Sequence, residues 1–206
     1  MSSPLQNRVL PDGDIVAHPM RGTMMGNRGG RLHDAARGLG ARRWVSRRWI
    51  ICTLSFKDRH RNVMGAGYTE LFFLDEVTAL AAGHRPCFEC RRKAARAFAR
   101  SFPGADSADA IDRVLHAKRL GPRPRVSPGD LPDGAMVRSG QRMLAILGGM
   151  AMEWTPEGYG PAEELPSGPC ALLTPAASVA VLRTGYAPAW HPSAPRPSGH
   201  HPLPHP

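Results

Sequence analysis

The sequence predicts an α+β protein of two small related units. Each is a hairpin, a strand and a short helix, and the first carries a Cys-x-x-Cys zinc knuckle. Three observations predict it. The apolar run Leu71–Phe72–Phe73–Leu74 leads into a helix with Asp75 at its N-cap position and Gly83 at its stop, just before Cys87 and Cys90. The stretch IICTLSF, residues 50–56, alternates apolar and polar as a strand does. The order strand, helix, glycine then returns downstream: Val77, Leu80, Gly83 and Pro86 fall on Val179, Leu182, Gly185 and Pro188 at one fixed offset. The second unit has Ala189 and Pro192 where the first has its two cysteines, so the metal is expected only in the first. The divisions expected are a basic zinc-binding unit over 1–102, a helical and Pro/Gly-rich connector over 103–134, a metal-free unit over 135–189 and a tail over 190–206.

Taken in order, residues 1–20 read as an extended lead-in with a turn at Asp12-Gly13. Residues 21–34 read as a hairpin, Thr23 to Met25 going out and Arg31 to His33 returning around a glycine-rich turn at 26–30. That turn lacks the Lys-Ser/Thr of a phosphate-binding P-loop. Cys52 falls on the more apolar face of the 50–56 strand, where a lone cysteine behaves as a small hydrophobe. After Cys90 the pattern is helical. Ala94, Ala95, Phe98 and Phe102 form an apolar stripe, and Arg92, Arg96 and Arg100 recur every four residues on another face. A further helix is predicted over 106–120, a Pro/Gly connector over 121–134, and a hairpin from 135–137 to 142–147. A strand at 171–173 and a helix opening at Thr174-Pro175 follow. The Pro- and His-rich residues from Pro188 onward predict a segment that does not pack.

Composition narrows the function. Residues 1–100 hold 18 Lys+Arg against 8 Asp+Glu, and residues 101–206 hold 9 of each, so all of the net +10 lies in the half with the Cys-x-x-Cys. This asymmetry points to a polyanionic partner, nucleic acid with DNA favoured. Arg42, Arg43, Arg47 and Arg48 stand beside Trp44 and Trp49, a mixture suited to phosphate contact and base stacking, although the tryptophans equally suit a core. No apolar run reaches the roughly 20 residues of a membrane span, so no membrane partner is expected. The segment MSSPLQNRVLPDGD lacks the apolar centre of an export signal, which predicts a cytoplasmic protein. In that compartment the four cysteines, 52, 87, 90 and 170, are expected as thiols or metal ligands.

A Cys-x-x-Cys in a tight turn offers two thiolates to one tetrahedral Zn²⁺, and two more ligands must come from elsewhere. His33, Cys52, His60 and His84 are the residues available; His84 also reads as a packing residue of the turn. A redox role is disfavoured, because the motif here follows a helix and a Gly-x-Arg-Pro turn rather than a strand.

Phe73, the helix with Glu76 and Ala79, and the run Ala81-Ala82-Gly83-His84-Arg85-Pro86-Cys87-Phe88-Glu89-Cys90 resemble the second half of the zinc-binding domain of the Ada DNA-repair family. Gly26 to His33 resembles the strand that carries that domain's first ligand. The match covers about residues 23–92. It implies a small zinc fold that contacts DNA, with His33 at the first ligand position. In Ada that position is the cysteine that accepts a methyl group, and Arg37 stands where the second cysteine would be. The resemblance therefore implies no methyl transfer.

The expected metal ligands are Cys87, Cys90, His33 and Cys52, with His60 in reserve. The expected phosphate contacts are Arg42, Arg43, Arg47, Arg48, Arg91, Arg92 and Arg96. Two other functions remain open. One is a metal-dependent hydrolase or nuclease, drawing on Glu70, Asp75 and Glu76, although the last two read equally well as a helix cap and a first-turn acid. The other is a protein-interaction adaptor.

Overall fold

Leu71 and Phe73 are buried and Phe72 between them is half-buried, the period-two pattern of a strand with one face in a core. A computed structural model, which describes residues 3–58, 62–119 and 121–195, places this strand in the first of two six-stranded sheets. The first sheet contains β1 (Gln6–Val9), β2 (Ile15–Ala17), β3 (Met24–Asn27), β4 (Ile50–Cys52), β5 (Leu71–Phe73) and β6 (Arg85–Pro86). Their order is β2-β1-β5-β3-β4-β6, with β1 parallel to β5 and β4 parallel to β6. Gly26 sits where β3 passes between β4 and β5. A Cβ there would lie 2.1 Å from the Ile50 carbonyl oxygen and 2.8 Å from Phe73 Cε2, so only glycine fits that spacing.

The second sheet contains β7 (Arg125–Val126), β8 (Met136–Ser139), β9 (Arg142–Leu147), β10 (Met150–Thr155), β11 (Gly158–Glu163) and β12 (Cys170–Leu172). Its order is β11-β10-β9-β8-β12-β7, antiparallel throughout. Four helices complete the α+β architecture: α1 (Glu76–Ala81), α2 (Arg92–Arg100), α3 (Ala108–Arg119) and α4 (Ala176–Arg183). In each sheet a short strand runs into a helix that stops at a glycine with positive φ: β5–α1–Gly83 (φ 81°) and β12–α4–Gly185 (φ 92°). The strand pairings around these two units differ, since β5 lies beside a parallel β1 and β12 beside an antiparallel β7.

All six residues of α1 are buried, because the helix is covered by β5 on one side and by β8 of the other sheet on another. One apolar cluster accordingly takes residues from both halves of the chain, from Val9, Leu71 and Phe98 to Val137, Leu172 and Val181. The start of α1 is fixed by two buried carboxylates. Asp75 caps the helix, accepting from Thr78 N–H at 2.8 Å and Thr78 Oγ1 at 2.8 Å. It also accepts from Tyr159 Oη at 2.9 Å and from His191 N–H at 3.0 Å. Burial pushes its carboxyl up from the usual range and these donors pull it back. Glu76 takes both guanidinium nitrogens of Arg91, at 2.7 and 2.6 Å, together with Tyr186 Oη at 2.5 Å and Ala189 N–H at 2.9 Å.

Three expectations are corrected here. Residues 31–33 do not return against residues 23–25; β3 pairs instead with β4 and β5. The strand expected over 50–56 ends at Cys52. Thr53 Oγ1 turns to donate to the Ser55 carbonyl oxygen at 2.8 Å, and Leu54 is left exposed. The segment from Pro188 packs as far as Ala194. Its polar backbone satisfies Asp75 and Glu76, and Trp190 meets Tyr159 at 5.4 Å between ring centroids.

Glu76→Ala would leave the Arg91 guanidinium, nearly buried, without its carboxylate. Urea unfolding of this variant should show a loss of about 3–5 kcal/mol. Replacing Arg91 by Met in the same variant should recover part of that loss. No recovery would mean that the bonds to Tyr186 and Ala189 carry the effect.

Candidate metal centre

Parallel pairing of β4 with β6 sets the site. Ile50 lies opposite Arg85 and Ile51 opposite Pro86, and the Cys87 N–H donates to the Ile51 carbonyl oxygen at 2.9 Å. The next residue of β4, Cys52, therefore lies beside Cys87. A turn over 88–91 brings Cys90 back to the same point, closed by Arg91 N–H to the Cys87 carbonyl oxygen at 3.0 Å. Helix α2 begins directly after it.

Both flanks of the turn are clamped by buried ion pairs. Arg85 Nε and Nη2 reach the two oxygens of Asp112 on α3 at 2.9 and 2.7 Å. Arg91 grips Glu76 on α1. Fork-on-carboxylate geometry fixes orientation as well as position. The cysteines are thus held from two sides by elements remote in sequence.

The sulfurs of Cys52, Cys87 and Cys90 all lie within 4.8 Å of one another, and this trio can hold a metal ion. Sulfurs 2.3 Å from a tetrahedral ion stand about 3.8 Å apart, which falls within that limit. Hydrogen bonds from the Cys52 and Cys90 thiols, helped by the Cys90 and Glu89 N–H groups, hold the Cys87 thiol well below the usual thiol range. Cys52 is pushed up, first by its bonding to Cys87, then by Cys90 and by burial. A cation among the three sulfurs would favour the thiolate form of each. They line one wall of a cavity of about 340 Å³ that Tyr68, Glu70 and Phe72 also line. Glu70 is nearly buried and accepts from the Met64 N–H at 2.7 Å.

His33, expected as a ligand, is not brought to the cysteines. Its segment leaves the sheet, and its ring nitrogens are engaged by Thr69 Oγ1 at 2.6 Å and the Gly65 carbonyl oxygen at 2.9 Å. His84 is also elsewhere. It packs edge-on to Phe73 and beside Trp49, and its Nε2 accepts from Arg28 Nε at 3.3 Å. Burial, then the charges of Arg28 and Arg119, holds it well below the usual imidazole range, so it is neutral. His60 lies outside the described residues. Cys170 is buried in β12 of the second sheet, with its thiol directed to the Gly168 carbonyl oxygen.

Of the seven arginines expected at phosphate, Arg91 is withdrawn by its clamp on Glu76. Arg42, Arg43, Arg47 and Arg48 are exposed, with Arg48 3.5 Å from Asp109. Arg92 and Arg96 are exposed on α2 together with Lys93 and Arg100. Two cations outside the expected set, Arg28 after β3 and Arg119 at the end of α3, both lie with their guanidinium groups over the Trp49 ring. Nothing in the local sequence marks either, since the two are brought together only by tertiary folding.

Comparison with protein-family models, with curated proteins and with solved structures finds no match. The likeness of residues 73–90 to the Ada zinc domain rests on the sequence alone.

Native mass spectrometry after dialysis against a weak chelator should find one metal ion per chain. Cys52→Ser, Cys87→Ser and Cys90→Ser should each lose it, whereas His33→Ala should keep it. Retention in Cys52→Ser would break the three-sulfur assignment.

Proposed function

We propose that Cys52, Cys87 and Cys90 hold one Zn²⁺ in an Ada-like setting, and that the cations beside it bind nucleic acid, DNA first. Soft sulfur donors at tetrahedral spacing suit zinc above the hard divalent ions. The zinc would tie β4, the 88–91 turn and the start of α2 together, a structural task. The observation that carries the nucleic-acid reading is the charge on α2. Arg92, Lys93, Arg96 and Arg100 are exposed and form no ion pair among the described residues, whereas Arg85 and Arg91 nearby each have a carboxylate. Like charges four residues apart on a helix repel one another, and a phosphate chain relieves that repulsion while releasing counterions.

The cavity favours a second reading. Three protein ligands leave one position of a tetrahedral ion, and the three sulfurs face a cavity that Glu70 shares. A water there would be activated by the metal, with Glu70 as the nearby base, which is the plan of a metal-dependent hydrolase. His60 is the other source of a fourth ligand. X-ray absorption of the zinc protein distinguishes the two: a nitrogen lost in His60→Ala closes the site, while an oxygen exchangeable for added imidazole opens it.

Affinity for a short DNA duplex should fall steeply with salt, by about 0.9 log unit per log unit of salt for each phosphate contacted. Removing Arg92, Arg96 and Arg100 together should flatten that slope by about three contacts' worth. Weak binding with no salt dependence would sink the nucleic-acid reading and favour the adaptor.

A further inference from the structure

On the side of the first sheet occupied by Trp44 and Trp49, and between it and the second sheet, lies a cavity of about 370 Å³. Its lining includes Arg28, Arg43, Lys118, Arg119 and Arg123, against two carboxylates, Asp12 and Asp14. Asp12 is already engaged by Arg138. Asp14 is exposed and raises Arg28 only in part against burial and the repulsion of Arg119. The cavity therefore keeps an excess of positive charge.

Two of these guanidinium groups are held without any carboxylate contact among the described residues. Arg28 is 1% exposed and donates to His84 Nε2, to the Arg43 carbonyl oxygen and, at 2.7 Å, to the Gly13 carbonyl oxygen. Arg119 donates from Nε to the Gly83 carbonyl oxygen at 2.8 Å and from Nη1 to the Arg47 carbonyl oxygen at 3.0 Å. Its Nη2 is buried without an acceptor. Both groups lie over Trp49, with Cζ 3.8 and 4.4 Å from the ring centroid. Burial, then their mutual repulsion in the case of Arg28, lowers each to about 9. Their seats are built in. Gly83 has φ +81°, and a Cβ there would stand 2.7 Å from Arg119 Cγ. A further feature converges on the same space. Thr174, Pro175 and Ala176 line it, and α4 starts there with no side-chain cap on its free N–H groups. An uncapped N-terminus of a full-length helix favours an anion.

We propose that this cavity binds a nucleoside phosphate, with the phosphate between Arg119, Arg43, Lys118 and the start of α4, and the base against Trp44. Arginine forks and helix N–H groups together suit phosphate oxygens better than a carboxylate alone would require. Trp44 is half-buried and lines the cavity, with Trp49 tilted 45° from it at 6.2 Å and His116 edge-on at 5.5 Å, so an aromatic ring already stands at the rim for a base to meet. The site is separate from the α2 surface and does not depend on the metal. Its ligand is either a free nucleotide or the 5′-phosphorylated end of a strand.

Isothermal titration of the whole protein with adenosine 5′-monophosphate and with adenosine tests this. The phosphate should strengthen binding by at least about tenfold. Arg119→Met should abolish that advantage. Arg43→Ala with Lys118→Ala, both at exposed positions, should reduce it severalfold without disturbing the fold. A 5′-phosphorylated hexanucleotide that outbinds its 5′-hydroxyl form identifies a strand end, and binding of the mononucleotide alone identifies a free nucleotide; either supports the site. Removing Arg92, Arg96 and Arg100 should leave mononucleotide binding unchanged, so loss of the α2 surface and loss of this cavity are read apart. The proposal is overturned if the monophosphate binds no better than adenosine, or if the folded Arg43→Ala/Lys118→Ala protein binds it as the parent does.

Discussion

Two adjacent buried carboxylates, Asp75 and Glu76, hold the molecule together at the first turn of a six-residue helix. Such a helix is too short to be stable by itself. It persists because its N-terminal acids collect donors from four other places: Tyr159 in the second sheet, Tyr186 after α4, the backbone of 189–191, and Arg91. Thr78 extends the network, donating to Asp75 and accepting from Trp154 Nε1 at 2.9 Å. A buried carboxylate is costly unless its lone pairs are filled; here Thr78 fills two positions on Asp75 and groups remote in sequence fill the rest. Sheet-to-sheet docking is thereby written into a cap.

The same network governs the cysteine cluster. Arg91 follows Cys90 directly, so the bond to Glu76 fixes where the turn ends and α2 begins. Arg85 precedes Cys87 by two residues, and its bond to Asp112 fixes where the turn starts. Three sulfurs can converge because the backbone carrying two of them is anchored at both ends, and the third arrives by strand pairing. The positive groups around these elements then divide by environment. Those beside a buried carboxylate are structural. Those on α2, and Arg28 and Arg119 over Trp49, have no carboxylate in contact among the described residues and keep their charge available.

Much of this was legible in the sequence where local chemistry decides. The Asp75 cap, the Gly83 and Gly185 stops, the β8–β9 hairpin and the Cys87–Cys90 turn each follow from residue type and spacing within a few positions. Cys52 was legible as a third sulfur, though its closeness to Cys87 depends on the parallel pairing of β4 and β6, which no spacing announces. His33 was misplaced because the glycine-rich 26–30 segment imitates a hairpin turn, whereas β3 finds partners more than twenty residues away. The packing of Trp190 and His191 was hidden for a related reason. A Pro-rich composition predicts little burial of its own, but it does not forbid a short segment from supplying N–H groups to acids already buried.

That last contact orders the events of folding. Bonds joining residues 75 and 76 to residues 186–191 close loops of more than a hundred residues, and contacts of such separation form late and slowly. As the chain is synthesised, the cysteine-bearing half emerges with its central helix start unfinished. It stays so until residues 186–191 are free to reach it. A chain cut short before residue 186 would lack these donors and leave both carboxylates short of partners at the edge of an unfinished core.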